Sequence, residues 1–454
     1  MFENLLGQSA ADRLREDAEA GLLAPSMLFF GPPATGKGTA ALELGRLLSC
    51  QGEGGIRAKG LKAEGPRAKG LKAPWNCPCT SCASHRQLLH PDLLLMGPRS
   101  FSAEIAASSA VFLKEGSPQG YILFIRALRK LLCRFSPVLW EDDTKLSRLN
   151  PLLQSLEEDM ESLEVAEEGK DREKLCAALI KNALKLESEG MGDFIPVAQV
   201  RRAAYWGRLA PSGRQKLLVI ESADRMKDEA RNSLLKILEE PPERLNIVLL
   251  TARREAVLPT LLSRLRPYRF VKREPRVEAE VIRRVFRENA EDGRPAGSGL
   301  VAYLDSFLPV PPEKIYPLAA FFAASVALGA LNTARRRGRE APPGILPLGK
   351  FAAPIAREAG LGEPSGDSRD IISRVMEGAG GFEARSLFSG FLRALLSVVA
   401  GAWTEPDARR IGFNGIWKKH AGEADAAVGT WNQQPALALD RLITEIKGAM
   451  TEFG

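Results

Sequence analysis

Short apolar runs alternate with amphipathic stretches over much of the first 270 residues. Ser26 to Phe30 (SMLFF) is continuous and apolar, GPPATGKGTA follows, and ALELGRLL then repeats its apolar positions at helical spacing. Lys216 to Ile220 (KLLVI) and Asn246 to Thr251 (NIVLLT) are two further buried-strand signals. Between them DEARNSLLKILEE has one apolar face and stops at Pro241 and Pro242. Strands alternating with helices predict an α/β fold: a mostly parallel sheet with helices on both faces.

Two segments interrupt the alternation. Residues 57–74 read RAKGLKAEGPRAKGLKAP, with RAKGLKA starting at Arg57 and again at Arg67. Too polar to fold alone, this repeat is expected to be a basic, solvated loop insertion. From about residue 100 to 190, Tyr121 to Phe135, the stripe Leu146, Leu149, Leu153, Leu156, Met160 and Leu163, and Lys174 to Leu186 all show helical spacing. They predict a helical insertion, a hairpin or small bundle. After Phe270 strand signals stop. A small helical module is expected over residues 272–310 and a helical domain over 311–454, including Ala384 to Val399. In APPGILPLGKFAAP, Pro342, Pro343, Pro347 and Pro354 are expected to break the helices.

Composition narrows the class. A chain of 454 residues suggests about three domains. Its 45% hydrophobic and 26% charged residues exclude a wholly disordered, collagenous or membrane-embedded protein. A net charge of +7 permits contact with nucleic acid without demanding it. The apolar stretch Leu318 to Leu331 contains Ser325 and Gly329 and falls short of the ~20 residues of a membrane span, so a buried helix is expected despite the Arg335, Arg336, Arg337 flank. The opening MFENLLGQSAADRLRED has no basic or apolar leader pattern, so a cytoplasmic protein is expected, without membrane contact. Six cysteines are too few for a disulfide scaffold.

Gly31-Pro32-Pro33-Ala34-Thr35-Gly36-Lys37 fits a phosphate-binding loop between strand and helix. Its N–H groups and helix terminus would face phosphates, with Lys37 reaching the β and γ oxygens. The next residue, ordinarily a Ser or Thr that holds Mg²⁺, is Gly38, and Thr39 follows. The GKGT spelling resembles adenylate kinases, where nucleotide still binds. The carboxylates that hydrolysis needs at a neighbouring strand end are represented by Glu221, Ser222, Ala223 and Asp224. Asp224 could reach the site or cap the following helix.

The motifs then fall into a known order. FENLLGQ, the phosphate loop, a cysteine cluster, HPD at His90 to Asp92, NSLLKILEEPP from Asn232 to Pro242, LLTA at Leu249 and LPTLLSRLRPYRF from Leu258 to Phe270 resemble the bacterial clamp-loader AAA+ subunits of DNA polymerase III, the gamma/tau and delta-prime family. The resemblance covers about residues 1–100 and 195–270. It implies a P-loop AAA+ domain over 1–271, a helical lid over 272–310 and an all-α collar-like domain over 311–454. It also implies ATP and Mg²⁺ as possible ligands, and as partners the gamma/tau and delta subunits, the sliding clamp and, through the assembly, primer–template DNA.

The family's strand ends Asp-Glu, for Mg²⁺ and for polarising water; here Glu221 and Ser222 stand there. With Gly38, two of three hydrolytic positions have lost their chemistry, which is most like delta-prime. Ser263-Arg264 falls at the family's arginine finger, which acts in trans on a neighbour's ATP. Thr251 falls at or beside sensor 1, and the second sensor arginine has no match. Cys50, Cys77, Cys79 and Cys82 resemble the family's Zn²⁺ module, although Cys77-x-Cys79 is one residue short; His85 is a possible substitute ligand. Cys133 and Cys176 are expected in the core. The alternatives are a divergent gamma/tau ATPase working through Lys37, Thr39 and Glu221, and a P-loop nucleotide kinase, which leaves LEEPP, the SR element and the cysteines unexplained.

Overall fold

The computed structural model describes residues 2–52, 74–141, 143–192, 194–288, 299–308, 310, 312–341, 344–382, 385–403, 408–431 and 433–452. The RAKGLKA repeats therefore lie outside the described residues, as do Pro342 and Pro343. The chain separates into two compact units, Met1–Leu304 and Asp305–Gly454.

In the first unit α1 (Ser9–Glu19), β1 (Ser26–Phe30), α2 (Lys37–Ser49), α3 (Thr80–Gln87) and β2 (Leu93–Met96) come first. A run of helices follows: α4 (Ser102–Glu115), α5 (Pro118–Leu132), α6 (Pro137–Trp140), α7 (Thr144–Val165), α8 (Lys170–Gly190) and α9 (Val197–Arg208). Then come β3 (Lys216–Ile220), α10 (Asp228–Glu239), β4 (Leu245–Thr251), α11 (Pro259–Leu262), β5 (Arg266–Arg269), α12 (Pro275–Phe286) and α13 (Gly299–Asp305).

The five strands form one parallel sheet in the order β2-β3-β4-β1-β5. Phe30 pairs with Thr251 and Met96 with Ile220, so the strands finish together along one edge. The loop after β1, Glu221 after β3 and Thr251 at the end of β4 thereby meet at the carboxyl edge, where open parallel sheets bind ligands. Sequence patterning missed two strands. β2 is only four residues long. In β5 only Tyr268 is buried, and Pro267 is tolerated because the strand lies at the sheet edge.

Alternate strand residues feed two cores. Leu217, Val219, Val248 and Leu250 pack with Phe29, Leu44, Leu47 and Phe270 on one face. On the other, Leu218, Ile220 and Leu249 join Phe112, Phe124, Leu128, Leu156 and Leu179 of the inserted helices. The insertion thus shares the sheet's core. In its leucine stripe Leu149, Leu156, Met160 and Leu163 are buried, and Leu146 and Leu153 half-buried.

The second unit holds α14 (Pro312–Arg336), α15 (Ile345–Glu358), α16 (Ser368–Gly378), α17 (Arg385–Gly401), α18 (Ala408–Trp431) and α19 (Pro435–Glu452). α14 packs against α15, α16, α17 and α19. It is long and apolar enough to cross a membrane, but 72% of its most apolar window is buried within the protein, as befits a core helix.

Two prolines expected to break helices do not: Pro347 and Pro354 both lie within α15. Pro347 occupies the first turn, where no N–H is needed. Pro354 lies on the exposed side of the helix, as does Lys350, four residues back, whose carbonyl it leaves without a helical donor. Pro354→Ala restores that helical hydrogen bond and is expected to stabilise the second unit by about 1–3 kcal/mol, read as a higher midpoint in thermal unfolding followed by circular dichroism.

Candidate functional site

The loop between β1 and α2 has the backbone a phosphate cradle requires. Gly31 has φ +142°, and a Cβ there would stand 2.0 Å from the Phe270 carbonyl oxygen. Gly36 precedes α2 at φ +92°, with Leu5 Cδ2 2.7 Å from where its Cβ would be. Lys37 Nζ donates to the carbonyls of Gly31, at 2.7 Å, and Pro32. Burial pulls the Lys37 amine down to about 8, against the Glu221 carboxylate, which raises it. Thr39 is exposed. Sequence reasoning missed Arg273, 6% exposed, which donates to the carbonyls of Leu6 (2.9 Å), Ala34 (2.7 Å) and Thr35 (3.0 Å) and so ties the loop to the N-terminal segment.

Across from the loop, Glu221 is 9% exposed at the end of β3. Its Oε2 lies 2.8 Å from Arg134 Nη2 and its Oε1 3.6 Å from Arg99 Nη1. The same Oε1 is 3.2 Å from where a Cβ at Gly38 would stand. Arg99 also pairs with Glu104, which holds Lys130 as well. Neither Arg99 nor Arg134 belongs to a motif, and no spacing links them to Glu221. Ser222 is left-handed, at φ +50°, and donates to the Pro98 carbonyl at 2.8 Å.

Asp224 does not cap the following helix: the residue before α10 is Lys227, and no side chain caps that helix. Its carboxylate instead accepts from Thr251 Oγ1 at 2.7 Å and Arg253 Nη2 at 2.6 Å. Burial would raise the Asp224 carboxyl, but these hydrogen bonds outweigh it and lower it. Thr251, 2% exposed, spends its hydroxyl proton on Asp224 and accepts from Arg253 N–H at 2.9 Å.

Arg264 follows α11 on the surface. It donates to Glu239 Oε1 at 2.7 Å and to the Thr260 carbonyl at 2.7 Å, so the SR element is tied to the first acid of LEEPP. In HPD, His90 accepts from Asp92 N–H at 3.1 Å, and the Asp92 carboxylate accepts from the N–H groups of Ser212 and Gly213 at 2.9 and 2.6 Å, fixing the approach to β3.

At the far end of α2 the Sγ atoms of Cys50, Cys77, Cys79 and Cys82 all lie within 4.8 Å of one another. Cys50 is 3.8 Å from Cys77 and 4.0 Å from Cys79. Thiolates around Zn²⁺, with bonds of about 2.3 Å, stand about 3.8 Å apart, so this donor set fits the ion despite the short Cys77-x-Cys79 spacing. His85 is not in the group: it stacks on His90 at 4.1 Å, and burial pushes it down to about 3, leaving it neutral. Burial raises the Cys79 thiol, but N–H donors from Cys82 and Gln51 bring it down to about 6, favouring the thiolate. Arg46, held by Glu43 at 2.8 and 2.7 Å, donates to Cys82 Sγ at 3.3 Å. Cys176 is buried, and Cys133 is half-buried with its thiol 3.6 Å from the Leu88 carbonyl.

Residues 147–274 match the family described as DNA polymerase III, delta subunit. That span contains Glu221, Thr251 and Arg264 but neither the Gly31–Lys37 loop nor the four clustered cysteines. The chain is 29% identical over 119 residues to the DNA polymerase III subunit gamma/tau of Mycobacterium bovis, and equally to that of Mycobacterium tuberculosis. The match spans 25% of this chain and 20% of those relatives' length. A solved structure, a DNA polymerase III gamma subunit-related protein from Thermotoga maritima, is 18% identical, covers 61% of this chain and 90% of its own, and has a TM-score of 0.29. The family match and the curated relatives support the clamp-loader type of DNA polymerase III subunit that the motifs resemble.

Metal analysis of the purified protein is expected to return about one Zn²⁺ per chain, lost in a Cys79→Ser, Cys82→Ser double variant. Competitive acetylation across roughly pH 6 to 11 is expected to give Lys37 a midpoint near 8, below the other lysines; a midpoint in the ordinary lysine range would show that the amine is not desolvated.

Proposed function

We propose that this chain is a delta-prime-like subunit of a DNA polymerase III clamp loader, which places a sliding clamp on DNA during replication. In this reading it keeps the nucleotide-binding architecture, hydrolyses ATP weakly or not at all, and lends Arg264 to the ATP site of a neighbouring subunit. The gamma/tau and delta subunits, the clamp and primer–template DNA are its partners, and Zn²⁺ on the four cysteines is structural.

The observation that carries the reading is the state of the strand end. Hydrolysis needs a carboxylate that orients water beside the γ-phosphate. Ser222 stands in that place, and its hydroxyl is turned to the Pro98 carbonyl. Glu221, next to it, is paired with Arg134, and Asp224, two residues on, is spent on Thr251 and Arg253. Thr251 in turn has no hydroxyl proton left for phosphate. Arg264, by contrast, is at the surface in a pair that a competing phosphate can displace.

A second reading, a divergent gamma/tau ATPase, is favoured by the curated relatives, which are gamma/tau subunits. It needs turnover through Lys37, Thr39 and Glu221.

One reconstitution separates the two. The isolated chain is expected to show no ATPase above background. In the assembled loader Arg264→Ala is expected to lower ATPase and clamp loading at least about tenfold while leaving this chain's thermal stability unchanged, because the finger stabilises charge that develops only in the transition state. Turnover by the isolated chain that Lys37→Ala abolishes would establish the gamma/tau reading. Full loader activity in Arg264→Ala would remove the finger.

A further inference from the structure

We propose that nucleotide held by this phosphate loop is bound without Mg²⁺, with Arg99 and Arg134 standing where the metal belongs. The inference rests on the reading of Gly31–Lys37 as a nucleotide site and adds what neutralises the ligand.

A phosphate-loop Mg²⁺ takes a hydroxyl from the residue after the lysine and a carboxylate at the neighbouring strand end. The residues here do not fit it. Gly38 has no hydroxyl, and Glu221 Oε1 lies only 3.2 Å from where a Cβ would begin. The carboxylate that should face the metal faces two guanidiniums, Arg134 at 2.8 Å and Arg99 at 3.6 Å. A dication placed there would meet two fixed positive charges.

A polyphosphate meets the opposite situation. Arg134 is 5% exposed, and its Nε and Nη1 have no hydrogen-bond partner, so donor capacity has been buried and left unspent. Both guanidiniums are held before any ligand arrives: Phe101 lies 5.2 Å from Arg99 and 5.6 Å from Arg134, centroid to guanidinium carbon. The cations Lys37, Arg99, Lys130 and Arg134 stand against the carboxylates Glu104, Glu187 and Glu221, with Arg126 a further cation beside Glu104. The surplus is positive, and a planar guanidinium offers phosphate two parallel N–H donors.

The test is equilibrium binding of a fluorescent ATP analogue to the full chain, with excess Mg²⁺ and with EDTA. The dissociation constant in EDTA is expected to match that in Mg²⁺ within about threefold, or to be tighter. Arg99→Ala, whose side chain is one-third exposed and whose loss the fold should tolerate, is expected to weaken binding in EDTA about tenfold. Glu221→Gln, checked for folding by circular dichroism, should bind as well or better, since it removes a charge that repels phosphate. A tenfold or greater loss of wild-type affinity on removing Mg²⁺, or loss of binding in Glu221→Gln, would overturn the inference and leave the loop a nucleotide site. Absence of binding in both media would overturn the inference and the loop's nucleotide role together, leaving the part assigned to Arg264 intact.

Discussion

The carboxylate of Glu221 is the constraint around which the site is organised. A carboxylate nine-tenths buried costs several kcal/mol unless it is paired. In this chain the neutralising charge comes from two places the motif does not include. Arg99 follows β2, and Arg134 sits in the turn just beyond α5, at the start of the helical insertion's return path. The insertion therefore contributes to the chemistry of the sheet edge as well as to the core. Its apolar stripes bury against Leu218, Ile220 and Leu249, and Arg134, just beyond α5, reaches the strand carboxylate. Loss of Arg134 would leave the buried carboxylate with only the longer Arg99 contact, whereas joint replacement of the pair by apolar groups costs far less.

Helix α2 links this edge to the cysteine cluster. Its 13 residues span about 20 Å, with Gly36 and Lys37 at one end and Cys50 immediately after the other. Midway, Glu43 and Arg46 form a buried pair with two parallel hydrogen bonds. Arg46 passes the charge onward to Cys82 Sγ. Four thiolates around a dication carry a net negative charge, and a guanidinium beside one sulfur offsets part of it. The same helix thus begins at the Gly31–Lys37 loop and ends at the cysteine cluster.

The elements most visible in sequence were those buried on both faces. SMLFF, KLLVI and NIVLLT read as strands because parallel strands covered on both sides are continuously apolar. β2 and β5 failed that test, one by shortness and the other by lying at an edge. The phosphate loop and the cysteine group were legible because spacing encodes them; the missing residue between Cys77 and Cys79 proved harmless to the grouping, since Cys50 arrives from a separate helix end. The arginines were not legible. Arg99, Arg134, Arg253 and Arg273 are ordinary members of a basic chain, and only strand order and helix return bring them to Glu221, Asp224 and the loop carbonyls. Proline at residues 347 and 354 misled for a related reason, because tolerance depends on helix position and exposure rather than on the residue alone.

The arginines divide into two kinds, and the division bears on the proposed role. Arg134 and Arg273 are buried, each tied to fixed backbone or to a carboxylate, and cannot leave without unmaking the site. Arg264 is different. Its partner Glu239 is half-exposed, and such surface pairs contribute about 0–1 kcal/mol. On the proposed reading, a phosphate presented by a neighbouring subunit would outcompete that carboxylate at little cost, and the short bond to the Thr260 carbonyl would keep the guanidinium oriented meanwhile. On the proposed reading, a metal position filled by buried Arg134 and an exposed Arg264 held only by a surface pair would suit a chain that acts on another site rather than its own.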